Sequence, residues 1–96
     1  MEIKELYSIF VKCGDVTTDS RKISGGELFF ALKGENFDGN EYAAKALEAG
    51  AAYAVVNADA PVCSRVEEFK DADGRSRLIP VNDTLTTLQN LARYHR

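Results

Sequence analysis

Gly26-Glu27-Leu28-Phe29-Phe30-Ala31-Leu32-Lys33-Gly34-Glu35-Asn36-Phe37-Asp38-Gly39 is the stretch on which the fold turns. Leu28–Leu32 is an unbroken apolar run between Gly26 and Gly34. It is too short for a helix of ordinary length, and its flanking glycines favour a strand buried on both faces. The chain then becomes polar, and Asp38-Gly39-Asn40-Glu41 reads as a helix start, with Asp38 and Glu41 spaced as in a capping box. The helix carries Tyr42, Ala43, Ala46, Leu47 and Ala49 and stops at Gly50. Its alanines allow a close approach to a sheet. Ala52–Val56 is a second apolar, β-branched run and reads as a second buried strand. Strand, helix and strand in so short a span form a βαβ unit, which requires a parallel pair and a right-handed crossover.

Outward from this unit the pattern continues. Ile3, Leu6, Tyr7 and Phe10 fall at helical spacing, so 2–12 reads as an amphipathic helix closed by Gly14. Val16-Thr17-Thr18 is a short strand, and Ser24-Gly25-Gly26 is a turn. Residues 57–77 are the least legible. A loop over Asn57–Pro61, one helical turn started by Ser64 and Glu67, and a turn at Asp73-Gly74 are the readings there. Leu78–Val81 is a strand that Pro80 places at an edge. Asn82-Asp83 then precedes a helix with Leu85, Leu88, Leu91 and Ala92 on one face. That helix meets the last residue without a C-cap, as in a chain that has been cut, not one that has ended.

Ninety-six residues make one domain, and a hydrophobic content of 45% with 28% charged residues suits a globular chain. The formal charge of −3 argues against a general nucleic-acid binder, and an anionic ligand would need local positive groups. No leader pattern opens the chain, and no apolar run approaches a membrane span. Cys13 and Cys63 have no metal-ligand spacing and read as reduced thiols of a cytoplasmic protein. His95 is the only histidine, which excludes a His-based metal cluster within this chain.

Two blocks carry possible chemistry. In Asp19-Ser20-Arg21 the hydroxyl can donate and accept, and the guanidinium can fork onto a carboxylate or phosphate. The alternative is a plain turn in which Asp19 ties down the backbone and pairs with Arg21. In Lys33-Gly34-Glu35-Asn36-Phe37 the lysine sits at the carboxyl end of the strand, Asn36 can pair with a base edge and Phe37 can stack. The alternative there is a solvated loop with Phe37 stapled to the helix. A strand, loop and helix N-terminus in that order is where α/β domains hold anionic or nucleotide-like ligands. Nothing suits nucleophilic or acid–base catalysis, and no G-x-x-x-x-G-K-[ST] loop is present.

Taken together, Thr18-Asp19-Ser20-Arg21, Gly26 through Gly34, Phe37-Asp38-Gly39, Ala46 through Ala51, Ala54-Val55-Val56 and Val81 through Arg96 resemble the N-terminal domain of the Mur ligases, with the spelling of the MurF type. The resemblance covers nearly the whole chain except 57–77. It implies an α/β fold, a small mixed but mainly parallel sheet flanked by helices, forming one UDP-substrate-binding domain over 1–96. The implied enzyme is a bacterial, cytoplasmic, ATP-dependent ligase that joins D-alanyl-D-alanine to UDP-N-acetylmuramoyl-tripeptide in peptidoglycan synthesis. That substrate and the enzyme's central ATPase and C-terminal domains are the implied partners; neither nucleic acid nor membrane is. This domain would hold no cofactor, while ATP and Mg would serve the full-length enzyme. Carried over, Thr18 and Ser20 contact the uridine diphosphate and Arg21 anchors the loop or meets phosphate. Glu35, Asn36 and Phe37 line the uracil and ribose, and Lys33, Gly34 and Asp38 shape that loop. No residue here is implied to be catalytic, and the piece alone is expected to be inactive. Asn40 departs from the histidine many relatives carry after Asp-Gly. A MurE-type domain, or a stand-alone nucleotide-binding regulatory domain, would share the same pattern.

Overall fold

The computed structural model describes residues 3–33, 38–70, 74 and 76–95. Helix α1 (Ile3–Cys13) leads into strand β1 (Val16–Thr17), a 3-10 turn (Ser20–Lys22) and strand β2 (Leu28–Phe30). A second 3-10 turn (Gly39–Tyr42) runs into helix α2 (Ala43–Ala49), then strand β3 (Tyr53–Asn57). A 3-10 stretch (Pro61–Glu68), strand β4 (Leu78–Val81) and helix α3 (Thr84–His95) complete the order.

The four strands pair in sequence order, β1-β2-β3-β4, and every pairing is parallel. Antiparallel contact among the described residues is confined to two isolated bridges, Lys33–Asp38 and Lys70–Ser76. The mainly parallel sheet expected from the resemblance is therefore present. A monotonic order of parallel strands with crossovers of one hand places successive connections on the same face. Accordingly Ala43, Ala46 and Leu47 of α2 and Val62 and Phe69 of the β3–β4 connection share one core with Phe29, Ala31, Ala54, Val56 and Leu78. The opposite face has to be covered by the chain before β1 and after β4. Leu6 of α1 and Leu91 of α3 do this, packing on Leu28, Phe30, Val55 and Ile79. Alternate residues of β2 and β3 thus enter different cores, which is why both strands are apolar throughout rather than alternating.

The strand at Leu28 is fully buried as read, and Pro80 does sit on an edge strand. Three local readings change. The helical stretch after β3 begins at Pro61, where a missing N–H costs nothing, and it kinks at Arg65. Ser64 donates back to the Pro61 carbonyl instead of starting a turn. Leu85 is 51% exposed, and the buried position beside it is Thr84, whose hydroxyl donates to the Ala31 carbonyl (2.8 Å). The turn reading at Asp73 lies outside the described residues.

Two groups given no role by the sequence are fully engaged, Glu27 within its own turn and Arg77 between layers. Glu27 is buried at 4% exposure and accepts from the Ser24 and Gly25 N–H groups (2.7 Å each) and the Ser24 hydroxyl. These bonds, the Ser24 N–H first, hold its carboxyl down to about 2. Arg77 donates to the carbonyls of Leu47, Ala51 and Ala52, placing a cation over the end of α2 and tying it to β4.

Candidate functional site

The ends of the loop after β2 are closed by main chain. Gly39 donates to the Leu32 carbonyl (2.7 Å), and Lys33 bridges Asp38. A Cβ on Gly39 would lie 2.7 Å from the Leu32 carbonyl oxygen and 2.8 Å from its nitrogen, so the Asp-Gly pair exists for this approach of two backbones. Asp38 caps the following turn by accepting from the Asn40 N–H (3.0 Å). Because that turn is 3-10, the carboxylate reaches the second residue after it, not the third that a capping box would use.

Asn40, 4% exposed, continues this chain of bonds. Its amide donates to Asp38 (2.7 Å), and its oxygen accepts from the Asn57 N–H at the end of β3 (2.9 Å). The Asn57 side chain accepts in turn from the Thr84 N–H at the start of α3 (3.1 Å). The side chain whose role the sequence left open therefore joins the loop cap to β3, and through Asn57 to α3.

The Asp19-Ser20-Arg21 block forms a turn as its plainer reading holds. Asp19 caps it, accepting from the Arg21 N–H (2.9 Å) and taking the Arg21 Nε and Nη2 in a fork (3.1 Å each). This guanidinium holds the Asp19 carboxyl below the usual carboxylate range. The same turn also lines a cleft. Thr18, Asp19, Ser20, Arg21, Phe29 and Tyr42 line it, around about 510 Å³. That volume is in the range of small-molecule sites. The cleft lies between the two 3-10 turns, each packed beside α2. It offers the Thr18 and Ser20 hydroxyls, the forked Asp19–Arg21 pair and the exposed Tyr42 phenol, while Phe29, 1% exposed, stays a core residue; the set suits a ligand with a polar, anionic part and a flat ring.

The sequence-derived residues do not all meet there. Thr18, Ser20 and Arg21 do. Lys33 and Asp38 line a second, smaller cleft of about 310 Å³ with Asn40, Asn57, Asp59 and Asn82. Gly34, Glu35, Asn36 and Phe37 lie outside the described residues. Sequence reasoning missed Phe29 and Tyr42 as wall residues because both fit core positions of their elements. A signal existed for Tyr42, a phenol at the head of an otherwise alanine-lined helix. Asn57 closes β3 and Asn82 directly follows β4, and the carboxyl ends of parallel strands are where α/β sheets place ligands.

The chain is thus a parallel α/β domain with a polar cleft beside its first two strands. Residues 14–96 match the family model described as Mur ligase family, catalytic domain. The chain is 38% identical over 78 residues to the UDP-N-acetylmuramoyl-tripeptide–D-alanyl-D-alanine ligase of Bacillus subtilis, covering 81% of this chain and 15% of that protein. With the same ligase of Rickettsia prowazekii it shares 35% over 86 residues, 90% of this chain and 17% of the relative. The crystal structure of MurF ligase from Thermotoga maritima in complex with ADP superposes with a TM-score of 0.62 at 25% identity, over 83% of this chain and 16% of that one. The chain belongs to the Mur ligase family. It spans about a sixth of the length of the curated relatives it matches.

Proposed function

We propose that this chain is the domain that anchors the UDP end of a peptidoglycan precursor in a MurF-type ligase. That enzyme would be bacterial and cytoplasmic, joining D-alanyl-D-alanine to UDP-N-acetylmuramoyl-tripeptide at the expense of ATP. The observation that carries the reading is the cleft that Thr18, Ser20, Arg21 and Tyr42 line together. Hydroxyls and a guanidinium suit ribose and diphosphate, and the Tyr42 ring suits a base. Lys33 and Asp38 line the neighbouring smaller cleft.

Contacts to this non-reacting end position a distant carboxylate and offset the entropy of assembling several substrates. In this reading ATP and magnesium are held outside this chain, whose sequence has no phosphate loop. Their chemistry, activating a carboxylate for attack by an amine, belongs to the part of the ligase this chain does not span.

A second reading has its own support. A 2,6-diaminopimelate-adding ligase of Parasynechococcus marenigrum is 51% identical over 45 residues, 47% of this chain. Both ligases' names specify a UDP-N-acetylmuramoyl substrate, so an anchor for that shared end looks alike in either. Amide NMR titration with UDP tests the common core of the two readings. Shifts at Thr18, Ser20, Arg21, Phe29 and Tyr42 are expected. A folded spectrum unmoved by millimolar UDP would refute it.

A further inference from the structure

We propose that Asp19 is a positioning residue that aims Arg21 at the diphosphate of the ligand; this rests on the UDP-anchor reading. A guanidinium has two edges on which an anion can dock in a fork, the side edge of Nε with one Nη and the end edge of the two Nη groups. Asp19 occupies the side edge, with Oδ1 on Nε and Oδ2 on Nη2, both at 3.1 Å. The end edge, Nη1 and the other Nη2 hydrogen, makes no hydrogen bond to the described residues, with Tyr42 as a further electrostatic neighbour of the guanidinium, and Arg21 lines the cleft.

Asp19 itself is held by three further bonds. It accepts from the Arg21 main-chain N–H (2.9 Å), its own N–H donates to the Thr17 hydroxyl (3.2 Å), and that hydroxyl returns to the Asp19 carbonyl (3.4 Å). The carboxylate therefore stands on a fixed turn, with its side chain 28% exposed, while the arginine it grips is 87% exposed. A long side chain that exposed, left alone, samples many rotamers and would lose their entropy on meeting a phosphate. Gripped on one edge, it presents the other already oriented. Among the described residues that line the cleft, Asp19 is the only carboxylate and Arg21 the only cation. The pair is thus close to neutral, and its benefit to an anion comes from direction more than from net charge.

The two roles of the carboxylate, grip and charge, separate by substitution. Asp19→Asn keeps an acceptor for the Arg21 main chain and Nε and removes the negative charge. Asp19→Ala removes both. Calorimetric titration of the protein with UDP and with uridine gives the affinity ratio of the two ligands, which a purely structural role would not move. Asp19→Ala should weaken UDP binding by about tenfold, the worth of one oriented charge-assisted contact, and leave uridine within about twofold. Asp19→Asn should keep most of the wild-type ratio, and Arg21→Ala should lose as much as Asp19→Ala. If wild type binds UDP but Asp19→Ala keeps the wild-type ratio or binds UDP more tightly, Asp19 is a bystander or a competitor and the positioning role is wrong. An equal loss of UDP and uridine affinity would also overturn it, as damage to the turn. If the wild-type protein fails to bind UDP at all, the anchor reading falls and this role with it.

Discussion

At the scale of single residues, Gly39 and Glu27 show how little space or charge decides a local structure. Alanine at position 39 would push a Cβ against main-chain atoms of Leu32 that have no freedom to move. Gly39→Ala is expected to cost roughly 1–3 kcal/mol in urea unfolding and to loosen the closure of the Lys33–Asp38 loop. A loss below about 0.5 kcal/mol, within the range of ordinary surface changes, would contradict this account of the Asp-Gly pair. Glu27 supplies the pH dependence. Its carboxyl lies at about 2 in the fold against an ordinary 4.5, so the ionised form is the one the fold stabilises. That stabilisation is complete above about pH 4.5 and disappears as pH falls toward 2. Glu27→Gln should therefore be less stable than wild type at neutral pH, with the gap closing across that acid window. A gap that stays constant from pH 7 to pH 2 would assign the effect to shape instead of charge.

At the scale of elements, α3 is set by its first turn more than by its apolar stripe. Asp83 accepts from the Leu85 N–H (3.2 Å) and the Thr86 hydroxyl (2.7 Å), so it caps the helix from the surface. Thr84 caps nothing; it fastens the helix to the end of β2 through the Ala31 carbonyl. Asp83→Ala should lower stability by about 0.5–2 kcal/mol, the usual cost of a lost cap. Thr84→Val keeps the shape and strands a buried carbonyl, at about 1–3 kcal/mol. Thermal melts of both variants check the pair, and a neutral Thr84→Val would mean the carbonyl finds another donor. The elements of the βαβ unit were legible because each has a clean pattern and glycine punctuation. In the stripe of α3, Leu88 and Leu91 pack as read, but Leu85 and Ala92 are exposed and Thr84 is buried, a difference the sequence hides because a leucine outranks a threonine in any apolar count. Only the nearby carbonyl of Ala31, distant in sequence, makes burial of Thr84 favourable. The 3-10 stretch at Pro61–Glu68 carried no period long enough to recognise.

At the scale of the whole molecule, one sheet separates two cores, and Arg77 ties the end of α2 to the edge strand. Arg77→Met should lower stability by about 1.5–3 kcal/mol, as its carbonyl partners lose a charged donor. Unfolding should stay a single transition, because β2 and β3 contribute to both cores. Two separate transitions by fluorescence and far-UV dichroism would show that the layers are independent. The anchor role makes a second prediction at this scale. The protein is expected to bind UDP without hydrolysing ATP, and measurable ATP turnover by the purified chain would place chemistry here that no residue set accounts for.

Patterns within short windows were the sequence's to determine: the doubly buried strands, the βαβ unit, the edge proline, the turn at Asp19, and the blocks that mark the family. Each depends on the period of the backbone or on a neighbour a few residues away, and so is written locally. What joins distant segments belonged to the tertiary structure. Phe29 and Tyr42 line a cleft with Ser20 and Arg21, Asn40 reaches Asn57, Thr84 reaches Ala31, and Arg77 reaches the end of α2. These bonds form between groups whose separation along the chain carries no period. They exist because burying apolar faces first brings the polar groups together, and a buried donor left without an acceptor would cost more than the bond itself gains.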